Sequence, residues 1–194
     1  MNPKRIIISR TDAIGDVILT LPLAVYLKQQ YPDCDIIFLG KNYTKAIAEI
    51  CPAIDSFISW DDISTDPVGE LKKLNADAII HVFPRKEIAK AARKAGIQLR
   101  VGTSHRTFHW LNCNRRVNFT RKNSDLHEAQ LNFELLKGIG VSHVPTMAEL
   151  AAMQLLSPRG ALRADLHELI DKAKFNLILH PGSRGSAREW GIDR

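Results

Sequence analysis

The feature that most constrains this chain is a regular alternation of short β-branched runs with helical segments. Arg5-Ile6-Ile7-Ile8-Ser9 opens the pattern, a helical stretch runs roughly from Gly15 to Gln30, Asp35–Gly40 follows, and Asp77–Val82 repeats the unit. Strands separated by helices cannot pair as hairpins. They need crossovers, and crossovers give a parallel sheet covered by helices. The predicted fold class is therefore α/β, a doubly wound parallel sheet.

The remaining segments fit that frame. Tyr43–Ile50 reads as helix stopped by Pro52, Ser56–Trp60 as a short strand and Val68–Leu74 as a short helix. Lys86–Ala95 is a helix with Gly96 as terminator, and Leu99–Gly102 is another strand. Pro22 either kinks the first helix or marks its true first turn. The segment Thr103–Asn123 reads as irregular, basic and aromatic. Asp125 with Glu128 three residues on approximates a capping box, opening a helix that continues to Lys137 and ends at Gly138 or Gly140. After Pro145, the stretches Ala148–Leu156 and Ala161–Lys174 are helical, broken by Ser157-Pro158-Arg159-Gly160. A fresh strand, Asn176–His180, then runs into Pro181-Gly182-Ser183-Arg184-Gly185-Ser186. That last segment repeats the opening grammar of strand, glycine-containing loop and arginine.

Composition narrows the class of protein. An apolar fraction of 45% with 25% charged residues is that of a globular chain, and no apolar run approaches the roughly 20 residues needed to span a bilayer. The N-terminus begins a strand without a signal-peptide pattern, so a cytoplasmic location is expected. Cys34, Cys51 and Cys113 are widely spaced and read as reduced, packed thiols rather than a zinc site. The net charge of +6 is unevenly spread: between Glu87 and Asp125 there is no acidic residue, yet nine positives from Lys90 to Lys122. Such asymmetry suits an anionic partner.

The chemistry-bearing groups cluster at strand ends. Asp12 and Asp16, in the turn after the first strand, have two readings: a helix cap, or an ionised carboxylate acting as general base at a ligand site. That loop is neither a phosphate-binding Gly-Lys-Ser/Thr loop nor a three-glycine dinucleotide loop. Gly182, Ser183, Arg184 and Arg188 can cradle a diphosphate, or form a plain turn, and Trp190 can stack on a base or anchor a core. His105, Arg106, Phe108, His109, Trp110, Arg115, Arg116, Phe119, Arg121 and Lys122 interleave bases with aromatics. That mixture suits nucleic acid, an acidic glycan or an anionic lipid headgroup, or is a solvated loop. His127, Glu128 and Asn132 read as the polar opening of a helix.

Taken together, Arg10-Thr11-Asp12-Ala13-Ile14-Gly15-Asp16-Val17-Ile18-Leu19-Thr20-Leu21-Pro22, His127-Glu128 with Asn132, and His180-Pro181-Gly182-Ser183 followed by Arg188-Glu189-Trp190 closely resemble glycosyltransferase family nine, the lipopolysaccharide heptosyltransferases. The resemblance implies the GT-B architecture of two Rossmann-like domains with a cleft between them. It implies inverting transfer of heptose from ADP-heptose to the acidic inner core of lipopolysaccharide, with no essential metal and no cofactor. Asp16 takes the place of the proposed base, and Gly15 that of the residue that turns the backbone beside it. Arg10, Asp12, His127, Glu128 and Asn132 become acceptor-side or supporting groups. Gly182, Ser183, Arg184 and Arg188 become the donor-diphosphate loop. Two departures stand out: Arg188 where the family often has lysine, and Gly191 where proline is usual.

The expected organisation is an acceptor-binding Rossmann-like domain over residues 1–145, a connection over 146–174, and the start of a donor-binding domain over 175–194, cut short there. The 194 residues alone are then expected to transfer little or nothing. Peripheral contact with the cytoplasmic face of the inner membrane is expected, and nucleic acid is not. The rival readings are a non-catalytic Rossmann-like module binding nucleic acid or an anionic membrane through its basic face, and a related transferase using another nucleotide-sugar.

Overall fold

The computed structural model describes residues 3–120, 122, 124–157 and 160–179. The chain divides into two compact units, Met1–Pro158 and Arg159–Arg194. Among the described residues of the first unit, six strands form one sheet: β1 (Arg5–Ser9), β2 (Asp35–Gly40), β3 (Ser56–Ser59), β4 (Ala78–His81), β5 (Leu99–Thr103) and β6 (Arg115–Val117). Their order is β3-β2-β1-β4-β5-β6 and every neighbouring pair is parallel. This is the doubly wound, Rossmann-like arrangement. The order reverses between β1 and β4, and ligands bind in the crevice at the carboxyl ends of strands at such a switch point.

The isoleucine run of β1 explains why this strand is central. Ile6, Ile7 and Ile8 are all fully buried. Side chains alternate across a strand, so Ile6 and Ile8 enter one core while Ile7 enters the other. The first core packs β1, β2 and β4 against α1 (Ile14–Ile18), α2 (Leu21–Gln30), α3 (Lys45–Glu49), and the later helices α8 (Glu128–Glu134) and α9 (Met147–Ala152). The second packs Ile7, Ile37 and Ile79 against α4 (Trp60–Ile63), α5 (Pro67–Lys73) and α6 (Lys86–Lys94). Burying each such isoleucine contributes on the order of 1.5–3 kcal/mol, which fixes the register strongly because a one-residue slip exchanges the two faces. Cys34, Cys51 and Cys113 are free thiols buried in this packing, and burial pushes Cys34 up to about 11 and Cys113 to about 12.

Several sequence expectations meet a different outcome. The first helix is two helices, and Pro22 stands in the opening turn of the second, where its missing N–H has no intrahelical role. Among its described residues the segment Thr103–Asn123 is not irregular throughout: it holds α7 (Thr107–Asn112) and the sixth strand, β6. Helix α8 is capped by His127, not Asp125: His127 Nδ1 accepts from Ala129 N–H at 3.3 Å, and Gln130 Oε1 accepts from His127 N–H at 3.0 Å. It passes into a 3-10 turn, Leu135–Ile139, closed by Gly140 at φ 88°, a left-handed conformation that favours glycine. Gly96 at φ 79° likewise ends α6. No helix among the described residues is long and apolar enough to cross a membrane.

In the second unit, the predicted helix Ala161–Lys174 is reduced to α10 (Ala164–His167). The described part of the predicted strand Asn176–His180 has no regular structure, and Leu177, Ile178 and Leu179 are 67%, 92% and 78% exposed. A strand is held by ladder bonds to a neighbour, and none of the described residues pairs with this one.

Candidate active site

The loop that leaves β1 at the switch point carries the central group of the site. Arg10 is 3% exposed, and its backbone N–H donates to Leu39 C=O at 3.0 Å, continuing the β1–β2 ladder by one residue. Its guanidinium spreads over three carboxylates. Nε donates to Asp12 Oδ1 at 2.7 Å, Nη2 lies 2.7 Å from Asp16 Oδ1, and Nη1 lies 3.5 Å from Glu128 Oε1. The planar fork explains the choice of arginine, since a lysine presents one point charge and cannot address three acids in three directions.

The three acids differ in surroundings. The Asp12 side chain is 19% exposed, Glu128 24% and Asp16 38%. Burial is the main cause that raises the Asp12 carboxyl above its ordinary value, with the Asp16 charge adding to it, while Arg10 opposes the rise. Neither aspartate caps a helix. The N-cap of α1 is Ala13, which makes no side-chain cap bond, and Asp16 sits in the first turn with its carboxylate turned to Arg10. The Tyr43 hydroxyl donates to Asp12 C=O and pins the loop from the β2 side.

The other predicted residues take varied places. Glu128 joins the cluster from α8, 118 residues away in sequence from Arg10. Asn132, fully buried one turn later, donates to Leu19 C=O at 3.0 Å and to Thr20 Oγ1 at 3.5 Å. Thr20 Oγ1 in turn donates to Asp16 C=O at 2.8 Å, so Asn132 braces the backbone that holds Asp16. His127 is exposed and serves as the α8 cap rather than lining the site. Gly15 has a helical place in α1, with open space where a Cβ would be, so the tight turn expected of it is not its role. Gly182, Ser183, Arg184, Arg188 and Trp190 lie outside the described residues.

These groups border a cleft of about 730 Å³. Arg10, Asp12, Asp16 and Glu128 form its acidic side; His105, Arg106 and Lys122 bring positive or titratable groups; Leu19, Phe83, Pro84 and Phe119 supply apolar surface, with Thr103 and Thr120 between. Phe83, Thr103 and Thr120 escaped the sequence reading, although Phe83 and Thr103 fall at or just beyond the ends of β4 and β5, where a switch-point ligand would touch them. His109, noted in the sequence, is buried, as is His81, which the sequence reading passed over. His109 Nδ1 lies 3.0 Å from Thr103 C=O, and the His81 ring lies 5.6 Å from the His109 ring.

Comparison with known proteins follows the same lines. No family model matches the chain. A curated protein of Haemophilus influenzae described as "Putative glycosyltransferase" is 30% identical over 97% of the chain. The E. coli heptosyltransferase WaaC with ADP-2-deoxy-2-fluoro heptose superposes with a TM-score of 0.60 at 20% identity, covering 74% of this chain and 50% of that one. A Veillonella parvula glycosyl transferase family 9 structure gives 0.59 at 23% identity, over 73% of this chain and 42% of that one. E. coli ADP-heptose lps heptosyltransferase II gives 0.58 at 18%, over 84% and 47%. The chain spans 57% of the length of the Haemophilus relative. The chain is thus a homologue of that Haemophilus protein, with the fold seen in glycosyltransferase family 9 and the heptosyltransferases, the family its motifs resemble.

Proposed function

We propose that this chain is the acceptor-binding part of an inverting glycosyltransferase that moves heptose from ADP-heptose to the inner core of lipopolysaccharide. The observation that carries the reading is the Arg10 cluster at the switch point. It holds Asp16, the most exposed of three carboxylates, at the border of a cleft that Arg106 and Lys122 also line. Asp16 takes the proton of the acceptor hydroxyl as that oxygen attacks the anomeric carbon. The bond to the diphosphate breaks on the opposite face, which inverts the configuration, and ADP departs. Arg10 fixes Asp16 in place, and Asp12 and Glu128 complete its coordination. His105, Arg106 and Lys122 meet an acidic acceptor, and Gly182, Ser183, Arg184 and Arg188 serve the diphosphate. The proposed chemistry uses the donor alone, without metal or cofactor. The ADP-heptose analogue bound to the structurally similar WaaC supports the choice of donor.

The test is Asp16→Asn in the complete two-domain enzyme, followed by ADP release in the presence of heptose-deficient lipopolysaccharide. Loss of a general base lowers turnover by about 10²–10⁴-fold while acceptor binding persists. Near-normal turnover in this variant removes Asp16 from the mechanism. Competition of ADP-heptose with other nucleotide-sugars tests the donor separately.

A further inference from the structure

Helix α7 presents a surface that the cleft does not use. Its residues His109 and Asn112 turn inward: the His109 ring packs so close to Gly102 that a Cβ there would stand 2.5 Å from Nδ1. That docking forces the intervening pair outward, leaving Trp110 61% and Leu111 73% exposed on adjacent positions. Trp110 is nevertheless held. Its Nε1 donates to Ser104 C=O at 2.9 Å, and the Arg116 guanidinium lies 4.8 Å from the ring centroid. Arg93 donates to Leu111 C=O at 2.6 Å, tying α6 to the same patch. Lys86, Lys90 and Arg93 form an exposed stripe on α6 at helical spacing. Glu87, exposed between Lys86 and Lys90, is the last acid before Asp125, so from Lys90 onward no negative side chain of the intervening sequence interrupts the cations.

An exposed, fixed Trp-Leu pair held between Arg116 and Arg93, next to the cationic face of α6, fits one kind of partner. Tryptophan with its N–H satisfied and its body apolar partitions to the boundary between lipid headgroups and acyl chains, and basic side chains draw it to negative charge there. Single-stranded nucleic acid needs free aromatic faces for stacking, and Arg116 already covers one face of Trp110 while Leu111 offers a base nothing. We propose that α7 docks on an anionic lipid surface, with Trp110 and Leu111 entering the headgroup layer and Lys86, Lys90, Arg93 and Arg116 against the phosphates. His105 and Arg106, which border the cleft, immediately precede α7, so docking brings the cleft to the lipid surface. The docking stands independently of the sugar transfer.

Sedimentation with vesicles tests it, using phosphatidylcholine alone and phosphatidylcholine containing a third of phosphatidylglycerol. The expected result is binding to the anionic vesicles only, weakening as salt is raised. The Trp110→Ser/Leu111→Ser double variant, with unchanged circular dichroism, binds at least about tenfold more weakly. Lys90→Gln, on an exposed position, weakens binding by about fivefold. Equal binding to neutral vesicles, no binding to either, or an undiminished double variant overturns the proposal. So does an oligonucleotide that displaces the vesicles and itself loses affinity for the double variant.

Discussion

Acidification from about pH 7 to about pH 5 is expected to destabilise the fold by about 2 kcal/mol through His81 alone. His81 ends β4, is 1% exposed, and has neither ring nitrogen hydrogen-bonded. Burial, then the nearby His109 and Arg100 charges, push its pKa from 6.5 down to about 3. The folded state therefore keeps the ring neutral, whereas the unfolded chain protonates it below 6.5. Stability from this group is complete above that value and falls at about 1.4 kcal/mol per pH unit beneath it, giving about 2 kcal/mol at pH 5 and about 4 near pH 3, where the folded ring begins to protonate as well. His109, lowered mainly by burial, adds in the same direction. Asp12, with its carboxyl raised, acts in the opposite one, because the fold holds that proton more tightly. Urea unfolding followed by circular dichroism reads the effect as a midpoint lower by about 1 M at the acid end. His81→Leu keeps the volume and removes the titration, so its midpoint moves much less over the same interval. A wild-type midpoint that does not fall, or an equal fall in His81→Leu, refutes the reasoning.

Other perturbations test the packing around the site. Arg10→Met removes the buried guanidinium that Asp12 and Asp16 share and is expected to cost about 3–5 kcal/mol, read from thermal or urea unfolding. Asn132→Ala removes the bonds to Leu19 and Thr20, and a loss of about 1–2 kcal/mol in the same assay is expected. Gly102→Ala places a methyl 2.5 Å from His109 Nδ1 and 2.9 Å from Cys113 Sγ, so overpacking is expected to cost about 1–3 kcal/mol.

The sheet was largely legible because its central strands are buried on both faces. Ile6–Ile8, Ile36–Leu39 and Ala78–Ile80 must be continuously apolar, and a continuous apolar run flanked by helices has few other readings. β6 carries no such mark. It is an edge strand of three residues in which only Val117 is buried, and its two arginines suit an edge that must not pair further. The start of α8 was misplaced because Asp125 is the stronger capping residue, whereas tertiary contacts favoured an imidazole cap two positions on. In the site, the turn after β1 announced Arg10, Asp12 and Asp16, but the family resemblance cast Arg10 as a supporting group. Only the burial of its guanidinium among three acids reveals it as the hub. Asn132 looked like polar surface because sequence does not show that α8 lies against the α1–α2 turn.

The reach of Arg10 to Glu128 has a consequence for how the molecule comes into being. Asp12 and Asp16 are neighbours on the chain, so they can meet the arginine as soon as the first turn emerges from synthesis. Glu128 and Asn132 arrive after β2 to β6 have been made, and closing so long a loop delays the encounter much more than it weakens the product, since each doubling of loop length costs only about 0.6 kcal/mol. The bracing of the Asp16 backbone by Asn132 is subject to the same delay. A nascent chain can thus pair Asp12 and Asp16 with Arg10 early, while the backbone that carries them is braced only when α8 docks.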